Sequence, residues 1–377
     1  MIDLDILFYD DLVYDSRDDP SNDLKLWLKI PHASIAEREF VLRPLAEYVL
    51  PPRRALATNP PFPSLTTISH PTLHLTPSSL LSTLLLSTPS TTHRVLPLSS
   101  TTTHALGTRT LLMSILNATP DSFSDGGDNL SLSTSLSTAL SHLSHGADIL
   151  DIGGMSTRPG ATAVDERTEI ARVVPLLRGL RAQGVSVPIS IDTFRPAVAR
   201  AAVEAGATII NDVLGGAEEG MLETMAELDV PVVLMHSRGT PETMSRMTGY
   251  GGDIVGGVRG ELGERVQRAL EAGVKRWNII VDPGVGFAKT GEDNLVLLRQ
   301  MREVIGEGEL GKYPSLVGLS RKRFLGTITG KEAPKERVWG TAAGVTASVA
   351  GGADIVRVHD VAEMIDVVRV ADGIYRA

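Results

Sequence analysis

From about residue 109 onward the chain alternates between two hydrophobic patterns. Short runs of β-branched and aliphatic residues fall at 110–117, 149–154, 187–193, 208–213, 231–236, 278–284, 315–320 and 355–359. They are nearly continuous rather than alternating, as expected of strands buried on both faces of a parallel sheet. Between them lie longer stretches with apolar residues at helical spacing, including 165–181, 196–205, 262–272 and 294–304. Gly146, Gly206, Gly273 and Gly352 each stand shortly before a strand. A glycine there suits the left-handed conformation that ends a helix. Eight strand–helix repeats predict an α/β chain folded as a (β/α)8 TIM barrel over 109–377. An open doubly wound sheet would show fewer repeats and a glycine-rich first turn, which is absent.

Upstream the pattern differs. Residues 1–54 are mixed and charged. Residues 55–108 are dominated by Pro, Ser, Thr, Leu and His, contain no acid or lysine, and have Arg94 as their one charge. Such a composition predicts a poorly ordered linker. A short helix at its leucine runs (Leu80-Leu81, Leu84-Leu85-Leu86) is the open alternative, and 93–98 reads as a short strand leading into the barrel.

Composition narrows the function classes. The chain has 377 residues, no cysteine, 42% hydrophobic residues and a formal charge of −9. Lack of cysteine removes disulfides, thiolate metal sites and thiol nucleophiles. The acidic balance argues against nucleic acid as a partner. No apolar run is long enough to span a bilayer, so no membrane partner is expected. The opening Met1-Ile2-Asp3-Leu4-Asp5 has no basic n-region, so no secretory or transit signal and no secretion are expected.

Candidate chemistry sits at the ends of the runs. The first is followed by the polar segment 117–127 and the second by 153–160; the third ends in Asp192, the fourth in Asn211-Asp212 and the fifth in His236. The sixth ends in 282–289, the seventh in Ser320-Arg321-Lys322 and the eighth in Arg357-Val358-His359-Asp360. In a barrel all these ends face one mouth. Arg158, Lys322, Arg357 and His359 would bring positive charge suited to a phosphorylated or diphosphorylated ligand. Asn117 offers a neutral oxygen to Mg2+, which keeps most of its waters and borrows phosphate oxygens. Asp192, Asn211 and Asp282 suit the donor edge of a nitrogen-rich heterocycle, with Phe287 and the Arg357 guanidinium on its faces. Taken singly, Asp192 fits a helix cap before Pro196, Asp282 a turn before Pro283, and His359 a core histidine. Polar groups at the end of every strand favour the common site.

These segments resemble dihydropteroate synthase. Residues 117–127 and 151–160 look like its two signature segments, and 190–193, 210–213, 282–289, 318–322 and 357–360 match its later blocks. The resemblance implies a homodimeric transferase of folate biosynthesis with a pterin-binding barrel. It would condense 6-hydroxymethyl-7,8-dihydropterin diphosphate with p-aminobenzoate, using Mg2+. Carried over, Asn117 would contact Mg2+ and diphosphate, and Thr157 the pterin. Arg158, Arg357 and His359 would hold the diphosphate. Asp192, Asn211, Asp282 and Lys322 would bind the pterin ring, with Met235 and Phe287 on its faces. Phe123, Pro159 and Ser320 would line the p-aminobenzoate pocket. Asp192, Lys322, Arg357 and His359 are the catalytic candidates. The departures are Ala118, where a larger aliphatic is usual, and a serine-rich first helix.

Residues 1–54 resemble the C-terminal part of hydroxymethyl-dihydropterin pyrophosphokinase, an α+β ferredoxin-like fold. The match lies at 3–8, 30–32 and 37–45. It implies that Asp3 and Asp5 hold Mg2+ and that His32 and Arg38 contact ATP phosphates. Alternation in a strand puts both aspartates on one face; they fit the exposed face of an edge strand equally well. With the rest of that fold absent, the site is expected to be vestigial. The order, kinase then synthase, resembles the fused folate enzymes of fungi and leaves open whether Met1 is the true start. Two other readings of the barrel are a methyltetrahydrofolate-binding methyltransferase, which has no diphosphate to hold, and an inactive pterin-binding scaffold.

Overall fold

The computed structural model describes residues 14–15, 29–30, 95–98, 103–118, 128–155, 164–240 and 242–376. The chain divides into two compact units, Met1–His93 and Arg94–Ala377. In the first, Tyr14–Asp15 pairs antiparallel with Lys29–Ile30. The candidates Asp3, Asp5, His32 and Arg38 lie outside the described residues, as do the leucine runs of 80–86.

In the second unit eight parallel strands form one sheet: β1 (Leu111–Asn117), β2 (Ile149–Gly153), β3 (Ile189–Asp192), β4 (Ile209–Asp212), β5 (Val232–Met235), β6 (Ile279–Asp282), β7 (Leu316–Gly318) and β8 (Ile355–Val358). A parallel bridge between Val281 and Ser315 joins β6 to β7 and closes the barrel. Strands β2 to β6 are buried along their whole length, which explains their near-continuous apolar sequence. The helices are α1 (Asp128–Ser144), α2 (Glu166–Ala182), α3 (Pro196–Glu204), α4 (Met221–Leu228), α5 (Ile254–Glu271), α6 (Gly291–Arg299), α7 (Met301–Ile305), α8 (Arg323–Thr329), α9 (Val338–Ala350) and α10 (Val361–Tyr375). Helix starts follow local chemistry. Asp165 accepts from the Thr168 amide at 2.9 Å to cap α2, and Thr290 and Asp293 form a capping box on α6. Gly146, Gly206, Gly273 and Gly352 all have φ between 94° and 111°, as their positions before the strands predict.

Two expectations need correction. The strand expected at 93–98 is present at Val95–Pro97, but the linker does not extend to residue 108. Val95–Pro97 pairs antiparallel with Thr103–Ala105, and the barrel unit begins at Arg94. Leu96, Leu98 and Leu106 are buried in one cluster with Leu111, Ile149, Ile209, Leu316 and Ile355, the first residues of five barrel strands. The hairpin therefore plugs the N-terminal end of the barrel, and three leucines outweigh a composition that reads as disordered. The helices also differ from their sequence outlines. The stretch 294–304 is two helices broken at Gln300, and the one expected at 262–272 starts at Ile254, where Gly256, Gly257 and Gly260 hide the apolar face.

Candidate active site

Register sets the site. Asn117 pairs with Gly153, Gly153 with Asp192, and Asp192 with Asn211. The C-terminal residues of β1 to β3 and the penultimate residue of β4 thus form one layer at the barrel mouth. A one-residue slip would turn each side chain to the opposite face. Across the barrel Asp282 pairs with Met235, and Gly318 with Arg357.

These residues open on a cavity of about 900 Å³. Asn117, Asp192, Asn211, Met235, Asp282, Phe287, Lys322, Arg357 and His359, nine of the residues singled out from sequence, all line it. Ser320 sits just behind; its Oγ accepts from the His359 amide at 3.1 Å and lies 3.0 Å from His359 Nδ1. Phe123, Thr157, Arg158 and Pro159 lie outside the described residues.

One buried carboxylate–guanidinium cluster forms the floor. Arg357 Nε donates to Asp151 Oδ2 and Nη2 to Asp192 Oδ2, both at 2.6 Å. Asn211 Nδ2 donates to the same Asp151 oxygen at 3.1 Å. With Nε and Nη2 so engaged, Nη1 and the guanidinium face are what Arg357 offers to the cavity. Oδ1 of Asp151 and Oδ1 of Asp192 are buried without a hydrogen-bond partner among the described residues. Buried oxygens of this kind are costly unless a ligand or water satisfies them. Burial pushes the Asp192 carboxyl up to about 7; Arg357 opposes the rise, and Asp151, Glu169 and Asp212 add to it. A positive charge arriving in the cavity would favour its ionised form.

A second pair lies beside the first. Burial raises the Asp282 carboxyl to about 6, held back by Lys322 and by the Gly284 amide, which donates to Asp282 Oδ1 at 2.7 Å. Asp282 thus serves the turn that its position before Pro283 predicts and faces the cavity as well. Burial lowers Lys322 to about 7, against the pull of Asp282. The Lys322 ammonium donates to the Val285 carbonyl and stands 4.4 Å from the centre of the Phe287 ring. Asp192 is not a helix cap: α3 is preceded by Arg195, with Pro196 in its first turn.

Sequence reading gave no role to Asp151, to the buried Lys289 and His236, or to the Arg321–Asp360 ion pair. For Asp151 a signal exists: an acid inside the apolar run Ile149-Leu150-Asp151-Ile152 must find a partner if the strand is buried on both faces.

The cavity lining thus brings together an aromatic ring, carboxylates, a side-chain amide and cations. Residues 113–359 match the model of the pterin binding enzyme family, and residues 1–50 that of 7,8-dihydro-6-hydroxymethylpterin-pyrophosphokinase. The folic acid synthesis protein fol1 of Schizosaccharomyces pombe is 46% identical over 99% of this chain and 47% of its own length. The dihydropteroate synthase of Synechocystis is 49% identical over 72% of this chain and 92% of its own length. The structure of Xanthomonas albilineans dihydropteroate synthase with 4-aminobenzoic acid superposes with a TM-score of 0.68 at 42% identity, covering 75% of this chain and 98% of that one. The chain spans about half the length of the fungal relatives it matches. With its barrel matched over nearly the whole length of the bacterial enzymes, the chain belongs to the dihydropteroate synthases of the pterin-binding enzyme family, and it carries a pyrophosphokinase-like segment ahead of the barrel.

Proposed function

We propose that the barrel condenses 6-hydroxymethyl-7,8-dihydropterin diphosphate with p-aminobenzoate to give 7,8-dihydropteroate and diphosphate. The observation that carries this reading is the meeting of Asp192, Arg357, Asp282 and Lys322 in one cavity, with Asn211 and Phe287 beside them. Asp282, Asn211 and Lys322 bind the edge of the pterin, and Phe287 and Arg357 cover its faces. Arg357 and His359, with Arg158, hold the diphosphate. The bond between the pterin methylene and the diphosphate oxygen breaks, and the electron pair leaves with the diphosphate. Asp192, a carboxylate shielded from water, stabilises the positive charge left on the pterin methylene. The arylamine nitrogen then bonds to that carbon and sheds a proton, so no protein nucleophile is required. Thr157 meets the pterin, and Phe123, Pro159 and Ser320 line the p-aminobenzoate side, where exclusion of water protects the cation from hydrolysis.

Mg2+ fits the residues present. Asn117, which lines the cavity, offers it a neutral oxygen. That is the sparse protein coordination of an ion bound chiefly through water and phosphate. When bound, Mg2+ would neutralise charge on the leaving diphosphate.

A homodimer is part of the proposal. Trp339 at the start of α9 is 82% exposed, and Ile328 of α8 and Val370, Ile374 and Tyr375 of α10 are also exposed, apolar side chains that a second copy would cover. No helix among the described residues is long and apolar enough to cross a membrane, and we assign the reaction to the cytoplasm or the mitochondrion. Residues 1–50 are only part of a pyrophosphokinase fold, so residues 1–377 alone should not transfer diphosphate from ATP to the pterin alcohol.

Mixing the protein with the pterin diphosphate, p-aminobenzoate and Mg2+ tests the reading. Dihydropteroate should form, a chelator should stop it, and added Mg2+ should restore it. Diphosphate release that ignores p-aminobenzoate, or no product at all, would refute the synthase assignment.

A further inference from the structure

Beside Phe287, where Lys289 also lines the cavity, runs a partly buried polar circuit with no place in the chemistry above. Lys289 is 9% exposed. Its Nζ lies 2.9 Å from each of three acceptors: His236 Nδ1, the Gly284 carbonyl and the Phe287 carbonyl. Three acceptors match the three hydrogens of an ammonium, and with the nearby Asp282 they hold the charged form against burial, which pushes Lys289 well below its ordinary value. His236 presents the complementary neutral tautomer. Burial and the Lys289 charge push its pKa down to about 3, so Nδ1 accepts while Nε2–H donates to Glu261 Oε2 at 3.1 Å. Arg238 Nε holds that same Glu261 oxygen at 3.0 Å, and the guanidinium stacks 3.8 Å from the centre of the Tyr250 ring. Tyr250 Oη donates to the Ala288 carbonyl at 3.0 Å. The circuit thus returns to the residue next to Lys289.

The segment it encloses carries the pterin contacts. Phe287 supplies the ring face, Val285 the carbonyl that takes the Lys322 hydrogen, and Gly284 the amide that binds Asp282. The backbone here is not one that local preference would choose. Ala288 has φ 48°, left-handed for a residue with a Cβ. Gly284 has φ 64°, and a Cβ on it would lie 1.9 Å from the His236 carbonyl oxygen. Such a turn persists only where its surroundings fix it.

We propose that Lys289 is a positioning residue for pterin recognition: its ammonium, locked by the His236–Glu261–Arg238–Tyr250 circuit, fixes the 284–287 turn so that Phe287 and Lys322 meet the ring at a set distance. The inference rests on the synthase reading. It adds a residue that touches neither the reacting atoms nor the diphosphate, and its effect is confined to the pterin side of the site.

Steady-state kinetics on the full chain tests it, with Lys289→Met, which keeps the length but no donors, and Tyr250→Phe, which removes one hydrogen bond. Lys289→Met should raise KM for the pterin diphosphate tenfold or more. KM for p-aminobenzoate, at saturating pterin diphosphate, should stay within twofold of wild type. Tyr250→Phe should move the same constant the same way, severalfold, with its melting midpoint within a few degrees of wild type. Should Lys289→Met fail to fold, Tyr250→Phe decides alone. Equal rises in both KM values, a fall in kcat alone, or unchanged constants in folded variants would each overturn the proposal. Lack of turnover by the wild-type protein in the same assay would instead remove the synthase reading.

Discussion

Arg357, on the last strand of the barrel, donates to Asp192, on the third, at 2.6 Å, although 165 residues separate them. The same guanidinium reaches Asp151 on the second strand at the same distance. One side chain thus ties three strands together under the cavity. A lysine has a single nitrogen and cannot serve both carboxylates in this fork. Arg357→Lys should keep the fold and lower kcat/KM for the pterin diphosphate by at least about tenfold, since a lost charged hydrogen bond is worth about 1.5–3 kcal/mol. Wild-type kinetics in that variant would show that charge alone, not the fork, is needed.

The buried carboxyls make a definite statement about pH. Asp192 is raised to about 7 and Asp212 and Asp282 to about 6, from an ordinary value of 3.8. The native state therefore holds more protons than the unfolded chain in this range. Their contribution to stability is complete below about pH 4 and is lost as pH rises through 6 to 7. Lys322 runs the other way: lowered from 10.5 to about 7, it contributes fully above its unfolded value and loses that contribution as pH falls through about 7. Together these groups place a minimum in the unliganded protein's stability near pH 7. Urea midpoints for wild type and Asp192→Asn should show wild type losing ground relative to the variant between about pH 5 and 7.5. Parallel profiles would mean that Asp192 titrates normally.

On the proposed reading Lys322 serves the pterin more than the diphosphate, because it touches Val285 and faces Phe287 and Asp282. Lys322→Ala should weaken binding of a diphosphate-free pterin by about ten- to a hundredfold, the worth of one charged hydrogen bond. Calorimetric titration reads this directly. An unaltered Kd for the pterin alongside a weakened one for diphosphate would move Lys322 to the other half of the site.

The hairpin at the closed end gives a contrasting prediction. Leu96 is fully buried among the first residues of the barrel strands, far along the chain fold from the mouth. Leu96→Ala should destabilise the barrel by about 2–5 kcal/mol. Turnover per folded molecule should be unchanged. Denaturant melts and active-site titration measure the two quantities, and a drop in kcat without a stability loss would contradict the assignment of this hairpin as a plug.

Much of this architecture is legible in the amino-acid order because two strong periodic signals coincide. A parallel barrel buries its strands on both faces, so runs such as Ile189–Asp192 and Ile279–Asp282 stand out and end in the polar residue that faces the mouth. Legibility fails where structure depends on contacts distant in sequence. Thr103–Ala105 looks like linker because Leu106 and its hairpin partners Leu96 and Leu98 find their packing partners only when the distant barrel strands close over them. The Asp151–Arg357 bridge joins residues 206 apart, and no spacing rule connects them. The Lys289 circuit is similar: Lys289 and His236 each look like one more polar residue after a strand, and only the turn at Gly284 brings them within 2.9 Å.

The central claim is that a shielded carboxylate steadies the charge left when diphosphate departs. The direct measurement is rapid-quench formation of dihydropteroate and diphosphate from enzyme-bound pterin diphosphate, by wild type and by Asp192→Asn. The account predicts one diphosphate per dihydropteroate in wild type, and a chemical step about 10²–10³-fold slower in the variant, the loss typical of removing one preorganised electrostatic group. A variant that forms product at the wild-type rate would contradict it.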